Sequence, residues 1–248
     1  MEMKGGFAMN NRLIFALVAV ALVIVAGYMY YNTGATVSAQ GTAQVKAMPD
    51  EVSVYINVQA RNASAELAQT QQNEISDDLI TELVKLGFER KEIQTLSMSV
   101  YEDFDWSSGN RVSKGYLAVH QISVKTNDFD KTGAIVDKAI ESGALVSGIN
   151  FELSQEKQNE YKQEALKKAG EDAKAKAEAT AEGLGKNLGR LVSVESQDFY
   201  YYPRALYSGA GMDMVAENAQ AKAAASSISP SEMDVSATLQ VKYKLGFL

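Results

Sequence analysis

Hydrophobic and polar positions along the chain follow three different patterns. From Leu13 to Tyr31 the run LIFALVAVALVIVAGYMYY holds nineteen residues without a charge. No polar face interrupts it, which marks a membrane segment rather than a buried core helix. At about 1.5 Å per residue such a helix spans roughly 28 Å, close to the ~30 Å of a hydrocarbon core. A period of two, the mark of half-buried strands, appears at 36–46, 51–60, 93–106, 112–126, 145–153, 190–198 and 234–245. In the second of these, Val52, Val54, Ile56 and Val58 share one face, and Ser107-Ser-Gly-Asn110 reads as the turn of a hairpin. Helical spacing appears at 64–86, with Leu67, Ile75, Leu79, Leu83 and Leu86 as the stripe and Gly87 as the C-cap, and again at 129–142 before Gly143. A third helix, 155–184, places Ala165, Ala169, Ala173, Ala177 and Ala181 four apart. Residues 199–233 show no clear period and read as one long irregular segment, opening on Tyr200-Tyr-Tyr-Pro203. The order of elements predicts an α+β fold: an antiparallel-rich mixed sheet with helices packed on one face, preceded by one amino-terminal transmembrane helix.

Charge orients that helix. Lys4 and Arg12 precede the apolar run, and the next charge after it is Lys46. Basic residues on the amino-terminal side predict a cytoplasmic segment 1–12, an anchor 13–31 and an extracytoplasmic domain 32–248. Tyr28, Tyr30 and Tyr31 stand where an interfacial aromatic belt would lie. The rival reading is a cleaved signal peptide with Val37-Ser38-Ala39 as its site. The apolar run is longer than the ~7–15 residues of a signal core, which favours the uncleaved anchor, and both readings place the bulk of the chain outside the cytoplasm.

Composition narrows the chemistry. The chain has 248 residues, 46% of them hydrophobic and 22% charged, with a net charge of −7; such a chain can bury a core. Removing Glu2, Lys4 and Arg12 leaves 22 basic and 30 acidic residues in the outer domain, a charge of −8. That balance argues against nucleic acid as a partner. The absence of cysteine excludes disulfides, thiol catalysis and cysteine-type metal sites.

Candidate chemical residues are few. The single histidine, His120, sits in a strand pattern whose face is ambiguous, and it reads as a half-exposed strand residue before it reads as a catalytic base. Glu102, Asp103 and Asp105 could offer oxygens to Ca²⁺, but their spacing matches no calcium loop, and an acidic sheet edge that discourages pairing fits them better. No G-x-S-x-G elbow occurs. Gly183, Gly185 and Gly189 follow a helix rather than a strand, so they mark a helix end and not a dinucleotide fingerprint. Asn62-Ala-Ser64 is a glycosylation sequon, and the same residues suit a cap for the helix that begins there. The alanine stripe suits a helix lying on its own sheet; its sharper reading is a contact between subunits.

Several segments together resemble the SIMPL-domain family, which includes bacterial periplasmic immunogenic proteins. They are Val37-Ser-Ala-Gln-Gly-Thr-Ala-Gln-Val with Pro49-Asp50, Leu86-Gly87 with Glu92-Ile-Gln-Thr95 and Tyr101, Gly148-Ile-Asn-Phe-Glu-Leu-Ser154, the alanine helix ending Gly183-Leu-Gly185, and Ile228-Ser-Pro230 before the closing strand. The similarity runs over about residues 36–247, with Ser231 where members often carry glycine. The resemblance implies an extracytoplasmic α+β domain with no established catalytic residues, links to envelope stress, and ring-like or higher oligomers. The resulting expectation is a non-enzymatic, membrane-anchored scaffold or interaction protein. It would need no metal or cofactor, would self-associate through the alanine-rich helix, and would meet a protein partner whose identity the sequence leaves open. The alternative is a small-ligand or cation-binding protein that uses residues 199–233 as a lid.

Overall fold

A computed structural model describes residues 11–32, 34–106, 109, 111–209 and 214–246. It contains α1 (Asn11–Asn32), β1 (Thr36–Ala47), β2 (Glu51–Asn62), α2 (Ala65–Lys85), a short 3₁₀ turn (Arg90–Glu92), β3 (Ile93–Asp105) and β4 (Val112–Thr126). There follow α3 (Lys131–Glu141), β5 (Leu145–Glu152), α4 (Gln155–Gly183), β6 (Asn187–Tyr201), β7 (Arg204–Ser208), α5 (Met214–Ser226) and β8 (Met233–Gly246). The chain divides into two compact units: residues 1–43, 166–198 and 237–248, and residues 44–165 and 199–236. The fold is mixed α+β, as the order of elements predicts.

The larger unit is built on a five-stranded sheet in the order β3-β4-β2-β5-β7, with every neighbouring pair antiparallel. Alternation in β2 sends Val52, Val54, Ile56 and Val58 to one face, as the sequence predicts, and all four are essentially fully buried. Register places them beside Thr126, Val124, Ile122 and His120 of β4, and beside Phe151, Ile149 and Val146 of β5. Helices α2, α3 and α5 cover this face. α3 brings Ile135, Val136 and Ala139 to it, and Phe129 meets Phe151 edge-on at 5.7 Å. Asn218 of α5 ties the strand start directly: its amide oxygen accepts from Val146 N–H at 3.1 Å and its NH₂ donates to Ala144 O at 3.1 Å.

The buried stripe of α2 departs from the expected one. It consists of Ala68, Gln72, Ser76, Leu79 and Leu83, while Leu67 is 53% exposed. Two polar residues occupy core positions because a polar partner lies beneath them. Ser64 caps the helix, its side chain accepting from Leu67 N–H at 3.2 Å, which is the capping role expected of the sequon's serine. Gly87 follows in the left-handed region at φ +92, where glycine carries no steric cost.

The smaller unit holds most of a second sheet, in the order β1-β8-β6, covered by the alanine face of α4. Ala165, Ala169, Ala173, Ala177 and Ala181 are all completely buried. Gly41 of β1 explains how close the helix lies: a Cβ there would stand 1.9 Å from Ala169 O and 2.6 Å from Ala173 Cβ. Asp172 fixes the register by accepting from Thr42 N–H at 2.9 Å and from Lys176 Nζ at 2.7 Å. The alanine stripe is therefore covered by the chain's own strand. It offers no free face for the subunit contact considered from sequence.

Residues 199–233 correct another expectation. In place of an irregular segment, β6 continues to Tyr201, and β7 and α5 follow. α5 buries Glu217, Asn218, Ala221 and Ala225 on one side, but its alanine-rich sequence lacks the large apolar residues that would reveal the period. Residues 107, 108, 110 and 210–213 lie outside the described residues, as do residues 1–10 with Lys4, although β3 and β4 do pair as the expected hairpin.

Among the described residues no helix is long and apolar enough to cross a membrane. α1 runs over Asn11–Asn32, and its side chains are described for residues 15–27. All are exposed, among them Phe15, Leu17, Leu22, Val23 and Ile24.

Candidate functional site

Two polar clusters lie on the five-stranded sheet, one on each face. On the helix-covered face His120 is 5% exposed, not half-exposed, because the register opposite Val58 turns it under α2. Its Nδ1 stands 2.9 Å from Ser76 Oγ and its Nε2 2.9 Å from Thr95 Oγ1, while Gln72 Nε2 donates to Ser76 Oγ at 2.7 Å. Burial lowers the imidazole pKa, with Asp77 acting weakly the other way. Both ring nitrogens are engaged, so the ring has no free nitrogen to offer a substrate.

The opposite face carries a groove of about 420 Å³, lined by Tyr55, Ile56, Asn57, Leu96, Gln121, Ile122, Ser147, Gly148, Asn150, Ala205, Tyr207 and Ser208. Its shape comes from three strand irregularities that fall in one line across the sheet. Leu96 of β3 is the extra residue between the pairs Thr95↔Ile122 and Ser97↔Gln121. Ser147 of β5 is extra between Tyr55↔Gly148 and Ile56↔Val146, and Leu206 of β7 is extra between Ile149↔Tyr207 and Asn150↔Ala205. A bulge bends its strand and increases its twist, and these three border the groove. Gly148 leaves room for Tyr55, whose ring carbon lies 3.6 Å from where a Cβ would stand.

The groove's polar groups are unevenly used. Ser147 Oγ donates to Tyr55 O at 3.2 Å, and Gln121 Oε1 accepts from Ser97 Oγ at 2.9 Å, which leaves the Gln121 NH₂ free. The carboxamides of Asn57 and Asn150 have no hydrogen-bond partner among the described residues. Ser123, directly across from Tyr55, is buried with its hydroxyl unpartnered.

At the Tyr55 end stands a charged cluster. Tyr55 donates to Glu152 Oε1 at 2.9 Å and Lys125 Nζ to Glu152 Oε2 at 3.0 Å. Burial raises the Glu51 carboxyl, with Lys125 opposing and Asp50 and Glu152 reinforcing the rise. Burial and the bond to Glu152 raise the Tyr55 phenol. Burial pulls Lys125 down but is outweighed by the hydrogen bond and charge of Glu152, so its pKa lies above the ordinary value. Asp50 closes this end by accepting from Ser154 N–H at 2.7 Å and Ser154 Oγ at 2.6 Å, and Ser154 Oγ in turn caps α4 through Lys157 N–H.

Other residues singled out from sequence are placed apart from the groove. Glu102 accepts from Ser113 Oγ, Asp103 pairs with Arg61 and Asp105 with Lys114, so the three acids of this edge strand serve three partners instead of converging. Tyr201 reaches the groove's charged end: its hydroxyl accepts from Leu153 N–H at 3.0 Å, and burial raises its pKa. Gly185, at φ +64, terminates α4, as expected for a helix end.

A family model described as a SIMPL protein of unknown function (DUF541) matches residues 37–243. The chain belongs to the SIMPL family. Uncharacterised protein YggE of Escherichia coli strain K12 is 27% identical over 174 residues, covering 68% of this chain and 69% of that protein. YggE of Shigella flexneri matches to the same extent. YggE of Edwardsiella ictaluri is 26% identical over 141 residues, covering 55% of this chain and 57% of its own. As a SIMPL protein the chain shares the family's fold region almost completely, and the groove lies inside the matched residues.

Proposed function

We propose that this SIMPL protein is a non-catalytic binding protein, anchored in the membrane by residues 13–31 with residues 32–248 outside the cytoplasm, and that its sheet groove receives a small polar ligand. The observation that carries the ligand reading is the meeting of Asn57, Gln121 and Asn150, each with unpaired amide groups, on one concave strip of sheet. Asn57 and Asn150 are half-buried and Gln121 is exposed, so their amide groups stand open to an external partner. The segment beyond Phe199 contributes to it as groove wall, through Ala205, Tyr207 and Ser208. The anchor reading is supported by the uncharged run itself and by the exposure of the described apolar α1 side chains. The non-catalytic reading is supported by the double engagement of His120.

A fragment screen on the full chain in lipid nanodiscs, read on the side-chain amide resonances of Asn57, Gln121 and Asn150, tests the ligand reading. Ligands that shift these three together support it. A screen in which they never move while other surfaces respond refutes it. Deleting residues 13–31 should transfer the chain from the membrane fraction to the soluble fraction; retention in the membrane would refute the anchor.

Self-association is the second reading, and β3 favours it. This edge strand has no charge from Ile93 to Tyr101, and Leu96, Met98 and Tyr101 are about half exposed, at 51%, 53% and 49%. An uncharged apolar edge is open to pairing with a second copy. Light scattering on the full chain should then show an oligomer that Met98→Lys reduces to monomer, and a monomeric parent chain would refute it.

A further inference from the structure

We infer that the groove's ligand is a neutral oligosaccharide; this inference rests on the ligand-binding reading above. Charge is the first argument. Among the described residues no carboxylate, ammonium or guanidinium lines the groove, and the charges at its Tyr55 end, Lys125 and Glu152, are committed to each other. A charged ligand would lose its hydration here and meet no counter-charge. Tyr207 adds none, because its hydroxyl donates to Glu217 O at 3.0 Å.

Hydrogen-bond character is the second argument. Asn57 and Asn150 each offer two donors and a carbonyl acceptor, Gln121 offers its NH₂ donors, and Ser208 adds a hydroxyl. A sugar hydroxyl both donates and accepts, so neighbouring hydroxyls match a carboxamide at both of its ends. Beside these amides lie Leu96 at the β3 end, 51% exposed, and the ring of Tyr55 above Gly148. They provide apolar surface for the C–H face of a pyranose, in the way aromatic side chains combine apolar area with a polar tip.

Direction is the third argument. The groove crosses the strands from Leu96 of β3 to Ser208 of β7. Five strands at about 4.8 Å spacing place its ends roughly 19 Å apart, and its volume falls in the ordinary range of ligand sites, ~300–1,000 Å³. An extended peptide is recognised by adding along a strand edge. Here the line of recognition runs across paired strands, whose main-chain groups largely bond one another, so side chains supply most of the contacts. That geometry suits a ligand whose polar groups ring its rim.

Isothermal titration and side-chain amide spectra of the full chain in nanodiscs, with maltotriose, cellotriose and tri-N-acetylchitotriose as neutral probes, test the inference. Trigalacturonate, unacetylated chitotriose and acetyl-tetraalanine amide serve as anionic, cationic and peptide comparisons. At least one neutral trisaccharide should shift the Asn57, Gln121 and Asn150 amides, bind more tightly than all three comparisons, and lose at least ten-fold in affinity in the Asn57→Ala/Asn150→Ala variant. Tighter binding by a charged trisaccharide or by the peptide would overturn the inference, as would saccharide binding that the variant leaves unchanged. If all three neutral probes are silent while peptide or fragments move the groove amides, the ligand class is wrong and the binding reading stands. If nothing moves them, both fail. The melting temperature of the variant, unchanged from the parent, separates lost binding from lost fold.

Discussion

His120 and Gln121 are neighbours in one strand and point to opposite faces of one sheet. On the helix-covered face one chain of hydrogen bonds links four polar residues: Gln72 reaches Ser76, Ser76 reaches His120, and His120 reaches Thr95. On the other face, Asn57 and Asn150 are left unpaired and Gln121 is half-used. Polarity alone does not distinguish a structural residue from a binding residue. Use does: the buried imidazole is bonded through both nitrogens, whereas the half-buried Asn57 and Asn150 and the exposed Gln121 keep amide groups open to solvent.

The largest effect expected from this contrast is on the covered face. Replacing His120 by alanine leaves a cavity under α2 and strips partners from Ser76 and Thr95. It should cost about 2–4 kcal/mol in urea unfolding of the full chain; a loss under 0.5 kcal/mol would remove His120 from the core. The charged end of the groove should respond less. Glu152→Gln removes the counter-charge of Lys125 and one acceptor, for a loss of about 1 kcal/mol by the same assay, since Lys125 is 36% exposed and water compensates in part.

The two faces also titrate with opposite sign. Burial holds the folded pKa of His120 below its ordinary value, so its contribution to stability is present above pH ~6.5 and is lost as pH falls toward the folded pKa. Burial holds the folded pKa of Glu51 above 4.5, so its contribution is present below that value and is lost as pH rises through the folded pKa. Melting curves between pH 7 and pH 5 should therefore fall more steeply in the parent chain than in His120→Gln, and rise relative to the parent when Glu51→Gln is heated at pH 7. Parallel curves for parent and His120→Gln would show that the imidazole does not titrate differently on folding.

Much of the covered face was legible in sequence, and little of the groove was. Val52, Val54, Ile56 and Val58 announce their face by strict alternation, and Ala165 to Ala181 announce a stripe by their spacing. Gln72 and Ser76 hid in that logic, since a polar residue at a core position reads as surface until its partner is known, and His120 stands forty-four residues further along the chain than Ser76. The groove depends on extra residues at Leu96, Ser147 and Leu206, which only strand register reveals. Asn57, Gln121 and Asn150 look like ordinary outward residues of three separate strands. β7 and α5 escaped because a five-residue strand and an alanine-rich helix carry too few large apolar residues to set a period.

The most direct test is the unfolding free energy of the Asn57→Ala/Asn150→Ala variant against the parent chain. Carboxamides reserved for a ligand carry no load in the fold, so the predicted difference is under about 0.5 kcal/mol. A loss above about 1 kcal/mol would make them structural and would contradict the division of the sheet into a helix-covered face and a binding face.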